Sequence, residues 1–133
     1  MVDPIDAACG ARERAYAPYS GYTVGAAVED ESGRVHVGCN VENVSFGATM
    51  CAERGALSRM VAEGGRTIRR VAVATSDGGA PCGICLQSLF EFAPEPETVE
   101  IVLSDEKGET TRLNLAQLLP RAFVSNVVRR AKP

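Results

Sequence analysis

Ile68-Arg69-Arg70-Val71-Ala72-Val73-Ala74-Thr75 runs into Ser76-Asp77-Gly78-Gly79-Ala80 and then into Pro81-Cys82-Gly83-Ile84-Cys85. Val71, Val73 and Thr75 alternate with period two, which predicts a strand in the core over residues 68–75. The Ser, Asp and Gly residues that follow are turn formers. A helix is then expected over about residues 83–92, with cysteines at its start. Strand, tight turn and helix in that order predict a sheet with helices on its faces.

The same grammar extends in both directions. Upstream, Thr49 can cap a helix over about residues 50–63, and Gly64-Gly65 can stop it. Residues 22–28 and 34–39 read as two strands joined by a polar hairpin turn at 29–33, and residues 40–49 as a loop. A first helix is expected over residues 4–16, with Asp3 as N-cap, Pro4 at the first position and Asp6 near the positive end. Downstream, residues 99–103 form a short apolar strand, residues 112–113 add a fifth, and a helical turn covers 116–119. The order α-β-β-α-β-α-β-β-α places the chain in the α/β class.

The 133 residues, 45% hydrophobic and 23% charged, suit one domain over residues 1–133 that needs no disulfide to hold its core. A net charge of -3 disfavours a nucleic-acid partner, because such binding rests on Lys and Arg contacts to phosphates. No apolar run is long enough to span a bilayer, so no membrane partner is expected. The N-terminus lacks the pattern of a signal peptide, which makes a reducing cytoplasmic setting the default. There, cysteines serve metals or catalysis more often than disulfides. Residues 126–133, including Arg129-Arg130-Ala131-Lys132, read as a disordered, solvated basic tail.

Cys51-Ala52-Glu53-Arg54 and Pro81-Cys82-Gly83-Ile84-Cys85 each fall at a helix start. Unpaired N–H groups and positive potential there favour thiolates. Cys82 and Cys85 are one helical turn apart, and Cys51 can add a third sulfur from a neighbouring helix. Three thiolates suit tetrahedral zinc with one open position, the arrangement of a catalytic site. A structural site would want a fourth protein ligand, for which His36 and Cys39 are the candidates. Glu53, two residues after Cys51, can exchange protons with a water at the metal without ligating it. Arg54 can offset the negative charge of the sulfurs.

These motifs, together with Ala17-Pro18-Tyr19-Ser20, Val24-Gly25-Ala26-Ala27 and Asn40-Val41-Glu42-Asn43, resemble the small zinc form of the cytidine deaminase family across residues 17–123. The resemblance implies a three-layer α/β/α sandwich around a mixed, roughly five-stranded sheet. It implies one Zn2+ per subunit on Cys51, Cys82 and Cys85, with hydroxide attacking C4 of cytidine or deoxycytidine and Glu53 as proton shuttle. Arg54 would hydrogen-bond the thiolates. Asn40 and Glu42 would grip the sugar, Ala52 would line the substrate site, and Tyr22 would pack on the base. Phe123 would reach a neighbouring subunit's pocket, which implies a homotetramer with shared active sites serving pyrimidine salvage. Two departures stand out: Leu86 occupies the place of a usual Arg, and Tyr22 and Phe46 exchange the family's Phe and Tyr.

Competing readings attach to the same residues. Cys82 and Cys85 alone could be a redox pair, and Glu53 alone could serve the helix dipole. Arg54 could be a surface residue, Asn40 and Glu42 turn residues, and Tyr22 and Phe123 core aromatics. His36 is expected to face solvent from its strand, and Cys9 and Cys39 to be structural thiols. Leu86 and the aromatic exchange keep open a modified pyrimidine nucleoside or aminonucleoside antibiotic as substrate. A non-catalytic zinc-binding assembly module is the alternative from another class.

Overall fold

Asp3 caps α1 (Pro4–Arg12) by accepting a hydrogen bond from the Ile5 N–H, and Pro4 sits in the first turn. The computed structural model describes residues 2–124, so the tail expected at 126–133 lies outside the described residues. The helix ends at Arg12 and not near residue 16. Tyr16 is drawn instead into a bridge with Val41: its N–H donates to the Asn40 carbonyl, and its own carbonyl accepts from Glu42. Tertiary pairing overrides helix propensity there.

The sheet has five strands in the order β2-β1-β3-β4-β5. They are β1 (Gly25–Asp30), β2 (Val35–Cys39), β3 (Ile68–Ala74), β4 (Glu100–Ser104) and β5 (Thr110–Asn114). All neighbours are antiparallel except β3 and β4, whose connection carries α3 (Gly83–Phe90). Strand β1 starts three residues later than the sequence pattern predicts. The Asn40 side chain holds the 22–24 segment off the ladder by accepting from the Val24 N–H and donating to the Tyr22 carbonyl.

Alternation along the strands divides the core into two faces. Ala27, Ala72 and Ala74 meet Ala8 of α1 on one side. Val28, Val71, Val73 and Ile101 meet Ala56 and Met60 of α2 (Ala52–Ala62) and Leu89 of α3 on the other. Leu86 belongs to this second cluster, so an apolar side chain fills the position of the family's usual Arg. A short α4 (Leu115–Leu118), closed by a capping box of Asn114 and Gln117, completes that side. The result is the expected three-layer sandwich with a mixed five-stranded sheet. Two glycines set how closely helices lie on it. A Cβ on Gly25 would stand 2.0 Å from the Ala8 carbonyl oxygen, and one on Gly38 would stand 2.5 Å from the Ala56 nitrogen.

His36 corrects an expectation. It is 1% exposed, not solvent-facing, because the neighbouring turn and the end of α2 supply carboxylates to both ring nitrogens. Nε2 lies 2.7 Å from Asp30 Oδ2 and Nδ1 lies 2.5 Å from Glu63 Oε1. Burial pushes the Asp30 carboxyl up, but bonds from His36, Ser32 and the Arg34 N–H overcome it and hold the group well below its ordinary range.

Candidate active site

The N-termini of α2 and α3 meet on the same side of the sheet. Cys51 is the N-cap of α2, displacing the expected Thr49, and Cys82 is the N-cap of α3. Thr49 is withheld because Val41 and Met50 pair across the preceding loop and its hydroxyl accepts from the Asn43 N–H. Neither helix start has a side-chain cap hydrogen bond, and at α3 the free N–H groups of Ile84 and Cys85 turn to the Cys82 sulfur. Burial opposes the Cys82 thiolate. Hydrogen bonds from the Cys85 N–H and thiol, the Cys51 thiol and the Ile84 N–H reverse that and hold the thiol below its ordinary range.

Cys85 is buried, and its thiol is pushed up by that burial and by the nearby Glu53 carboxylate. Cys51 and Cys82 Sγ lie 4.0 Å apart, and all three sulfurs fall within 4.8 Å of one another. Tetrahedral ligands at a Zn–S distance of about 2.3 Å stand about 3.8 Å apart, so this donor set fits zinc with small rotations. Among the described residues the metal-competent group comprises these three cysteines alone. His36 and Cys39, the candidates for a fourth ligand, are not part of it.

Glu53 is 5% exposed and sits in the first turn of α2. Its Oε1 accepts from the Cys85 thiol at 3.9 Å. Burial raises its pKa, and its own N–H, the Cys85 thiol and Arg54 offset the rise only in part. Arg54 donates from Nη2 to Cys51 Sγ at 3.6 Å. Its Nε is buried with no hydrogen-bond partner among the described residues. The guanidinium is turned onto the Cys51 and Cys85 sulfurs, and beside Cys85 it opposes the rise that burial and Glu53 impose on that thiol.

A cleft of about 220 Å³ opens beside the sulfurs, and Tyr22, Asn40, Glu42, Ala52 and Glu53 all line it. The amide of Asn40 is already engaged with the 22–24 backbone. Glu42 accepts from the N–H groups of Tyr19 and Ser20 and from the Ser20 hydroxyl, and these bonds, Ser20's first, lower its pKa. Tyr22 reaches across to Asp77, a pairing that the sequence pattern did not indicate beyond marking 76–79 as a turn. Phe123 is absent from this cleft. Its side chain is 73% exposed, while its N–H and carbonyl pair with the amide of Gln87 on α3. Phe46 is exposed and meets Tyr19 edge to face.

Comparison with known proteins agrees with this geometry. The family described as cytidine and deoxycytidylate deaminase zinc-binding region matches residues 4–101. A cytidine deaminase of Sporosarcina psychrophila is 41% identical over 115 residues, covering 85% of this chain and 83% of the relative. The crystal structure of cytidine deaminase from Burkholderia pseudomallei superposes with a TM-score of 0.84 at 43% identity, covering 92% of this chain and all of that one. The Mycobacterium tuberculosis cytidine deaminase structure gives 0.79 at 36% identity, covering 94% of this chain and all of that one.

Proposed function

The chain belongs to the cytidine and deoxycytidylate deaminase family, and from that premise we propose how its residues carry out zinc-dependent hydrolysis of cytidine to uridine and ammonia. The observation that carries the reading is the meeting of three sulfurs at two helix starts with a buried, non-ligating carboxylate against one of them.

Cys51, Cys82 and Cys85 hold the zinc, one per subunit. Zinc in that place supplies the Lewis acidity that makes water a nucleophile at neutral pH. Glu53 does the proton work. Its burial keeps the carboxyl easier to protonate than an exposed glutamate, so it can take a proton from water and give it back within one cycle. It accepts the proton of the water that attacks C4, passes it to the ring nitrogen, and delivers the second proton to the departing amine. Arg54 tempers the charge of the sulfurs. Ala52 and the ring of Tyr22 bound the base, and Asn40 and Glu42 meet the sugar hydroxyls with the hydrogen-bonding capacity that their backbone contacts leave free.

The chain acts on free cytidine and deoxycytidine in the cytoplasm, in pyrimidine salvage, and folds as a single domain. Among the described residues no helix is long and apolar enough to cross a membrane. Phe123, held outward by Gln87, completes a neighbouring subunit's cleft in a homotetramer. The test is deamination by zinc-loaded protein on cytidine, deoxycytidine, cytosine and modified pyrimidine nucleosides. Turnover confined to cytidine and deoxycytidine is the expected result, and no turnover of cytidine would overturn the reading.

A further inference from the structure

Tyr22 and Asp77 stand 55 positions apart in the chain and meet at the cleft wall. The Tyr22 hydroxyl donates to Asp77 Oδ1 at 2.7 Å. The same oxygen accepts from the Gly79 N–H at 3.1 Å and from the Thr75 hydroxyl at 3.2 Å. Thr75 Oγ1 in turn accepts from the Gly78 N–H at 2.7 Å and from the Gly79 N–H at 3.1 Å. Residues 75–79 are thus a turn closed on one carboxylate oxygen, and Tyr22 grips that oxygen from outside the turn.

The other end of Tyr22 is anchored on the opposite wall. Its N–H donates to the Ser20 hydroxyl oxygen at 2.9 Å, its carbonyl accepts from Asn40 at 2.8 Å, and the Ser20 hydroxyl donates to Glu42. A continuous path therefore links Glu42, Ser20, Tyr22, Asp77 and Gly79, and three residues later the chain reaches Cys82. Tyr22, Thr75 and Gly79 all line the cleft. Gly79 is fitted to this contact, because a Cβ there would stand 2.9 Å from the Tyr22 hydroxyl and 3.2 Å from Asp77 Oδ1.

We propose that the Tyr22–Asp77 hydrogen bond latches the two walls of the nucleoside cleft together, with Tyr22 determining fit through its ring and Asp77 acting as a positioning residue. A phenylalanine at position 22 would keep the ring but lose its grip on residues 75–79. This deepens the deaminase reading of the same cleft and rests on it for the nature of the ligand.

The experiment measures kcat and KM on cytidine, and calorimetric binding of the product uridine, for wild type, Tyr22→Phe, Asp77→Ala, Asp77→Asn and the Tyr22→Phe/Asp77→Ala pair. Each of Tyr22→Phe and Asp77→Ala is expected to raise KM and the uridine Kd by about fivefold with little change in kcat, and the double variant to be no worse than either. Asp77→Asn, which keeps an acceptor oxygen, recovers most of the loss. Gly79→Ala costs binding in wild type and costs less in Tyr22→Phe, where the 2.9 Å clash is gone; this pair carries the test if Asp77→Ala fails to fold. Additive losses, unchanged uridine binding, or a fall in kcat at constant KM would overturn the latch. Turnover of cytidine without such coupling would overturn the latch alone. Coupled uridine binding without turnover would uphold the latch and overturn the deaminase reading.

Discussion

Helix α2 carries a polar cluster at each end, and the two are finished differently. At its C-terminal end, both nitrogens of His36 face carboxylates, and Asp30 Oδ1 also accepts from Ser32 and Arg34. Every strong group there has a partner inside the chain. At the N-terminal end, Glu53 is as buried but touches a thiol at 3.9 Å, Arg54 Nε has no partner among the described residues, and three sulfurs converge without an oxygen cap. Buried polar groups are normally satisfied. A closed cluster therefore fixes the fold, and an open one of the same size is held for something that arrives later.

The largest effect is expected at the open end of α2. Glu53→Gln is expected to lower kcat on cytidine by about a thousandfold or more, since the proton shuttle is removed. The zinc-free variant should melt no lower than wild type, because the substitution removes an under-partnered buried carboxylate. A kinetic assay with a parallel thermal melt checks both, and a large loss of stability would assign Glu53 to the fold.

At the closed end the signs reverse. Asp30→Asn leaves the buried His36 facing a weaker partner and should cost about 3 kcal/mol by denaturant unfolding, with kcat little changed in the folded protein. The pH dependence follows from a carboxyl held below its ordinary 3.8 in the folded state. Its stabilisation is complete above that value and is lost as pH falls through the lower folded pKa. The stability gap between wild type and Asp30→Asn should thus stay constant from neutral pH down to the ordinary carboxylate range and close below it. A gap that widens on acidification would contradict this account. Glu63→Gln, on the more exposed side of His36, should give a smaller loss in the same acid-sensitive direction.

The sequence made the open cluster legible and hid the closed one. Ligand chemistry limits which residues can hold zinc, so Cys51, Cys82, Cys85 and Glu53 stood out by type and spacing. His36 gave no such sign, because a lone polar residue on an alternating strand looks solvent-facing until its partners arrive from Asp30 and Glu63. The same cause shifted two element bounds. Helix α1 yields its last turn to the Tyr16–Val41 bridge, and β1 starts late because Asn40 occupies the backbone groups at 22–24. Tyr22–Asp77 was equally invisible, since nothing local couples residues so distant in the chain.

Zinc K-edge absorption on the zinc-loaded protein reads out the ligand set of the metal itself. Three sulfur ligands near 2.3 Å with one light-atom ligand, the latter exchangeable on adding a nucleoside, is the expected spectrum. Four sulfurs, or a light-atom ligand indifferent to nucleoside, would mark the metal as structural and contradict the catalytic reading.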